Sequence, residues 1–355
     1  MSGQLDGLRV IDLTIWRPGP YATQLLAEQG ADVLKVEPPN GDPMRSMPDL
    51  FDTLGAGKRS IVLNLKDDAD RARCLELAED ADVFVESYRP GVAERLGVGY
   101  DAVRARNPSI VYVSVSGFGA FGPLARVPGH DVNYLASSGA LRPAGGRPFP
   151  PLLPISDLAG GVAAAFAIAT ACLGAKLHGQ GERVDVSVAD ILATWVGPVG
   201  PVEMVGLDLP MQGAPGYGVF PTKDERYVAL GIMNEDHFWV GLCRALGLDD
   251  LEALDNPERN GRTVEINNRI GAVIAELTEA DALARLVAHD VPAAPVLDRG
   301  RMLAHPHFRE RGTIIETADG ALASGPLVRF EERPGRAPYG APSLGADEPV
   351  WLPRP

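Results

Sequence analysis

Between Leu8 and Gly119 the chain alternates short apolar runs with segments of helical periodicity, and that rhythm narrows the fold more than any single motif. LRVIDLT is an apolar run of the length a buried parallel strand needs. PYATQLLAEQGA follows with helical spacing and a glycine stop. DVLKVEPP reads as a second strand, RSIVLNL as a third, DVFVESY as a fourth and SIVYVSVSGFG as a fifth. Before the fourth, DDADRARCLELAEDA opens with aspartates suited to a helix N-terminus. Strand, helix and strand at these spacings predict a doubly wound α/β sheet, with ligands at the carboxyl ends of its strands.

From Ser156 the chain turns helical. LAGGVAAAFAIATACLGA (Leu158 to Ala175) nearly reaches membrane length. Its Ala and Gly content and the charges on both sides make it a buried helix of a globular domain, so no membrane partner is expected. ERVDVSVADILATWVG adds a strand and a helix. The Pro/Gly-rich PVGPVEMVGLDLPMQGAPGYG marks a domain boundary near Gly200. Beyond it, VFPTKDERYVALGI reads as a hairpin around Lys223 to Arg226, followed by two helical stretches and the strand VPAAPVLD. The tail from Arg333, rich in Pro and Gly, is expected to wrap over a surface.

Several function classes drop out. A formal net charge of -14 over 355 residues opposes phosphate-backbone binding, so no nucleic-acid partner is expected. The start lacks a basic segment followed by a long apolar one, so no signal peptide is read and a cytoplasmic location is expected. Cys74, Cys172 and Cys243 are far apart and form no CxxC or Cys/His spacing, which predicts neither a metal site nor a disulfide frame. They read as small hydrophobes in a reducing compartment. The first strand-turn, DLTIWRPGPYA, lacks the glycines that let a backbone approach a pyrophosphate. GFGAFG (Gly117 to Gly122) has that spacing but leads into Pro123 and a loop. Neither GxxxxGK[ST] nor GxSxG occurs.

Proton transfer at carbon needs a base in reach and a partner for the developing oxyanion. His130, in PGHDVNYLASSGAL, stands where a loop becomes a helix, and a histidine ordinarily titrates near neutrality. His178, His237, His289, His305 and His307 lie in polar or helix-end contexts. Asp157, in LLPISDLAGG, sits where an apolar run meets a helix. It reads as an N-cap, and the amides beside it are able to hold an oxyanion. Asp131 is placed either to orient His130 or to act as a nucleophile. Glu235 lies near the start of another helix. Lys35 in the second strand, Lys58 and Arg59 before the third, and Arg89 and Arg95 after the fourth gather near strand ends, where phosphates are gripped.

LDGLRVIDLT, GPYATQLLAEQGADVLKVEPP, KRSIVLNLK, ADVFVESYRPGVAERLG, GHDVNYLASSG and SDLAGG, in that order, resemble the class III CoA-transferase family (CaiB/BaiF type), most closely its α-methylacyl-CoA racemase branch. The resemblance covers nearly the whole chain. It implies a Rossmann-like large domain from both chain ends (1–200 and 315–355), a smaller inserted α+β domain (201–314) and an interlocked homodimer. It implies an acyl-CoA substrate and no cofactor beyond CoA itself. Two chemistries come with the family. In the racemase, His130 and Asp157 are the two bases, Glu235 holds His130, Asp131 supports the site, and a 2-methylacyl-CoA is inverted at its α-carbon through an enolate held by amides at the Asp157 helix start. In the alternative, Asp131 is the nucleophile of a CoA transfer between carboxylic acids. Trp16, Lys35, Arg59, Ser87, Tyr88, Arg89 and Arg95 would hold CoA. Three features favour the racemase: His130 before Asp131, no glycine run in QGAPGYGVFPTKDERYVALG, and the chain length. Pro38 stands where several members carry a CoA-holding arginine.

Overall fold

The computed structural model describes residues 3–141, 150–197, 214–317, 320–335 and 340–354. Among these, residues up to 141, from 150 to 195 and from 306 onward form one compact unit, and those between 196 and 305 form another. The boundary read near Gly200 lies outside the described residues.

In the first unit, β1 (Arg9–Leu13), β2 (Asp32–Glu37), β3 (Arg59–Val62), β4 (Val83–Glu86), β5 (Val111–Ser116) and β6 (Arg183–Ser187) form one parallel sheet ordered 3-2-1-4-5-6. That is the order of a doubly wound Rossmann-type sheet, with its switch point between β1 and β4. The connections carry α1 (Pro18–Glu28), α2 (Pro48–Gly55), α3 (Asp68–Glu79), α4 (Val92–Arg95), α5 (Tyr100–Arg106), α6 (Asp131–Ser137) and α7 (Ile155–His178). Residues of opposite parity serve opposite faces. Val10, Val33, Val83 and Val113 pack on α1 and α7, whereas Ile11, Leu34, Phe84 and Tyr112 pack on α3. Both faces are covered, so the strands read as continuous apolar runs instead of alternating ones.

α7 approaches α1 closely. A Cβ on Gly161 would lie 2.6 Å from the Tyr21 ring and 3.0 Å from the Pro18 carbonyl, so only glycine fits there. The expectation that α7 is wholly buried needs correction. Val162, Phe166, Leu173 and Leu177 are exposed, Phe166 at 72%. By length and composition α7 is also apolar enough to cross a membrane. The tail returns to this sheet: the Trp351 indole donates to the Leu77 carbonyl at 2.9 Å, and Asp347 accepts from the Ser60 amide at 2.9 Å.

In the second unit, β7 (Tyr217–Pro221), β8 (Tyr227–Gly231) and β9 (Ala293–Pro295) form an antiparallel sheet, with the expected hairpin turning at Lys223 to Arg226. Its core contains Trp239, Leu242, Ile266, Ile270 and Leu286. Cys74 and Cys243 are buried, Cys172 is half-buried, and all three are free thiols.

Candidate active site

A cavity of about 650 Å³ opens at the carboxyl ends of β1, β4 and β5, beside the switch point of the first unit's sheet. The turn after β1 contributes Ile15 and Trp16, and the loop after β4 contributes Ser87, Tyr88 and Arg89. Ser116 to Phe118 continue from β5, and His130, Asn133, Tyr134 and Asp157 face the same space.

His130 is the N-cap of α6, with its amide donating to Asn133 Oδ1 at 3.0 Å. Two contacts seat this helix start. The Tyr134 hydroxyl donates to the Gly129 carbonyl at 2.5 Å. Its ring also lies across Gly117, where a Cβ would come within 2.3 Å of the ring. The GFGAFG stretch therefore opens with a packing glycine, not a phosphate loop. Trp16 meets His130 edge to face, with ring centroids 5.8 Å apart and planes at 87°.

Asp131 and Asp157 differ in what they hold. Asp131 Oδ1 accepts from the Ser156 amide at 2.8 Å, from the Asp157 amide at 3.2 Å, and from the Ser156 hydroxyl. It caps a helix other than its own, satisfying donors that α7 leaves open at its start. Asp131 is not among the residues lining the cavity. One expectation is corrected here: the Ser156 and Asp157 amides are taken by Asp131 Oδ1 and are not open to an enolate oxygen. Asp157 is not its own helix's cap either; it faces the cavity. Burial raises its carboxyl to about 6, the Asp131 charge adds to the rise, and Arg17 and His130 offset part of it.

The predicted CoA-holding residues divide. Trp16, Ser87, Tyr88 and Arg89 line the cavity. The Ser87 hydroxyl bridges to Ile15, accepting from its amide at 2.9 Å and donating to its carbonyl at 3.2 Å. Arg95 ends α4 and is exposed. Lys35 is buried, with its ammonium on the Thr14 carbonyl at 2.8 Å and Asp42 at 2.8 Å. Lys58 is likewise internal, on Asp12 at 3.0 Å and the Pro20 carbonyl at 2.9 Å. Arg59 begins β3, at the sheet's amino edge, and pairs with Asp32 at 3.2 Å and Asp347 at 3.6 Å. The expectation that Lys35 and Arg59 grip CoA fails on those grounds: one is enclosed, the other is on the wrong edge. Glu235 belongs to the second unit, as the N-cap residue of helix Asp236–Leu246. It accepts from the Met233 amide at 3.0 Å, and that bond lowers its pKa.

Sequence reasoning missed three residues. Arg17 is half-buried, its guanidinium makes no hydrogen bond or ion pair with described residues, and it is the main cation acting on Asp157. Ser116 lines the cavity with a buried hydroxyl that has no partner among the described residues. Glu86 ends β4, only 5% exposed, and accepts from the Tyr88 amide at 2.7 Å. Burial lifts it to about 7. Among the described residues, no three His, Cys, Asp or Glu side chains are grouped to hold a metal ion.

The model of CoA-transferase family III matches residues 5–348. An acetyl-CoA:oxalate CoA-transferase of Acetobacter aceti is 33% identical, with 94% of this chain and 92% of that protein covered. An alpha-methylacyl-CoA racemase of Homo sapiens is 32% identical, over 91% of this chain and 85% of that one. A solved CAIB/BAIF family protein from Brucella suis superposes with a TM-score of 0.84 at 25% identity, covering 98% of this chain and 97% of its own. The relatives thus include both a CoA-transferase and a racemase, and the chain belongs to CoA-transferase family III.

Proposed function

We propose that this protein inverts 2-methylacyl-CoA thioesters by 1,1-proton transfer at the α-carbon. The observation that carries this reading is the pair His130 and Asp157 facing one cavity, with the Asp157 carboxyl raised to about 6. Two acid-base groups facing one space suit a reaction that must run in both directions. His130 removes the α-proton from one face of the thioester and Asp157 delivers one to the other, through an enolate; the roles exchange for the opposite enantiomer. Asp131 holds the start of α7 and so fixes Asp157. Ser87, Tyr88, Arg89 and Arg95 hold the CoA moiety, and no cofactor beyond CoA takes part.

A second reading is CoA transfer between carboxylic acids, favoured by the transferase among the relatives. In that case we place Asp157, instead of Asp131, as the attacking carboxylate, because Asp157 lines the cavity and Asp131 does not. The test is a single acyl-CoA incubated with enzyme in D2O. Proton transfer puts deuterium at the α-carbon without a second acid. Transfer gives no exchange, but moves CoA when a second carboxylate is added.

A second copy of this chain is the expected cover for the exposed face of α7. Val162, Phe166, Leu173 and Leu177 recur at helical spacing there. Light scattering on the purified protein checks for the dimer. Phe166→Glu should leave a monomer.

A further inference from the structure

We infer that Trp16 is a positioning residue for His130: the indole braces the imidazole in its working orientation. This rests on the reading that His130 moves a proton. Trp16 has φ +63°, a left-handed conformation that is a genuine outlier for a bulky side chain. It is 42% exposed, and its indole N–H has no partner among the described residues. Neither core packing nor a hydrogen bond accounts for a tryptophan there. The ring contact with His130 does, at 5.8 Å and 87°.

The turn is held from both sides, as a strained residue requires. On one side the Thr14 amide donates to Asp12 at 2.8 Å, and the Lys35 ammonium donates to the Thr14 carbonyl at 2.8 Å. The Ser87 hydroxyl takes both backbone groups of Ile15. On the other side the Tyr21 amide donates to the Arg17 carbonyl at 2.9 Å, and Lys58 holds the Pro20 carbonyl at 2.9 Å. The two buried lysines thereby fix the turn that aims the indole. An imidazole on a loop-to-helix junction otherwise samples several rotamers, and a small misplacement of a reacting group is costly to rate.

The experiment compares Trp16→Phe with Trp16→Gly in the full-length protein. Phe keeps a ring at the same backbone angle, and Gly removes the ring while relieving the backbone. Two readouts are needed: kcat and KM for α-deuterium exchange, and the proton resonance of the His130 C2–H, assigned with His130→Gln. The Phe variant should stay within about threefold of the parent in both constants, whereas the Gly variant should lose about tenfold to a hundredfold in kcat with KM little changed. In the Gly variant the C2–H resonance should also move, because the indole ring current is gone. A raised KM with kcat intact would make Trp16 a wall for CoA and overturn the proposal, as would an unmoved resonance. If the parent enzyme shows no exchange, the proton-transfer reading fails by itself. The His130 C2–H resonance then still decides on Trp16: a shift in the Gly variant keeps the bracing contact, and an unmoved resonance overturns it.

Discussion

Two aspartates stand near the carboxyl edge of the first unit's sheet, and their surroundings drive them in opposite directions. Asp12, in β1, is fully buried, and burial alone raises a carboxyl. Lys58, Lys35 and the Thr14 and Thr23 hydroxyls more than reverse this and hold it well below the usual carboxylate range. Asp157 is less enclosed, yet its carboxyl is raised to about 6, because burial raises it, Asp131 adds a like charge, and only Arg17 and His130 oppose them. The donors assembled around a carboxylate, more than the depth of its burial, separate a structural group from a reactive one.

Replacing each aspartate by asparagine tests this division most directly. Asp157→Asn should fold and bind CoA, while turnover falls by about a thousandfold or more, since it removes the acid-base or nucleophilic group in either reading. Asp12→Asn should do the reverse. It leaves Lys58 as a buried charge without its counterion, which costs about 3–5 kcal/mol of stability. Urea unfolding and turnover per folded molecule, measured on both variants, separate the two effects. An Asp12→Asn protein of normal stability would end the contrast.

The pH dependence sharpens it. Proton transfer between His130 and Asp157 needs one group protonated and the other not, so kcat should be bell-shaped with its acid limb near the Asp157 value of about 6. A nucleophilic Asp157 needs only to be ionised. Its activity should rise through about pH 6 and then stay level. A profile with an acid limb near 4 would mean that Asp157 is not perturbed as its surroundings imply.

A smaller effect separates the two edges of the sheet. Arg89 lines the cavity at the carboxyl edge, and Arg59 is paired at the amino edge. Arg89→Gln should raise KM for acyl-CoA about tenfold, the scale of one charge-assisted bond. Arg59→Gln should leave KM unchanged and lower stability instead, because it leaves Asp32 largely buried without its cation.

The arginine pair also shows what was legible in the sequence. The strands could be read because both faces of a parallel sheet are covered, which makes each strand an apolar run. His130 and Asp157 could be read because each stands at a junction entering a helix. Which acid faces the cavity could not. Neighbouring side chains on a helix point about 100° apart, and sequence does not give the rotation. Lys35 fell to strand parity, which carries it inward to Asp42. Arg59 was legible and misread: it precedes its strand, which places it at the edge opposite the ligands. The exposed face of α7 was hidden because the helix is apolar all round. Arg17 and Ser116 carry no motif; only the finding that their polar groups lack partners among the described residues marks them.

The smallest predicted effect tests the cause of the perturbation rather than its consequence. A carboxyl with a raised folded-state pKa binds its proton more tightly folded than unfolded. The stabilisation it provides is complete below the unfolded value of 3.8 and is lost as pH rises through about 6. At pH 8 the ionised Asp157 therefore works against folding. Asp157→Asn should raise the melting temperature there by about 2 °C, and the gain should vanish near pH 4. Glu86, more deeply buried and raised to about 7, should follow the same pattern with a larger gain for Glu86→Gln. Asp12→Asn must run the other way, because its pKa is depressed: Asp12 contributes stability above its unfolded value and loses it only in strong acid. Opposite signs at pH 8 from the same substitution, at two aspartates of one unit, would tie the contrast to their donors. A loss of stability in all three variants would instead mean that the raised carboxyls are held by contacts beyond those described.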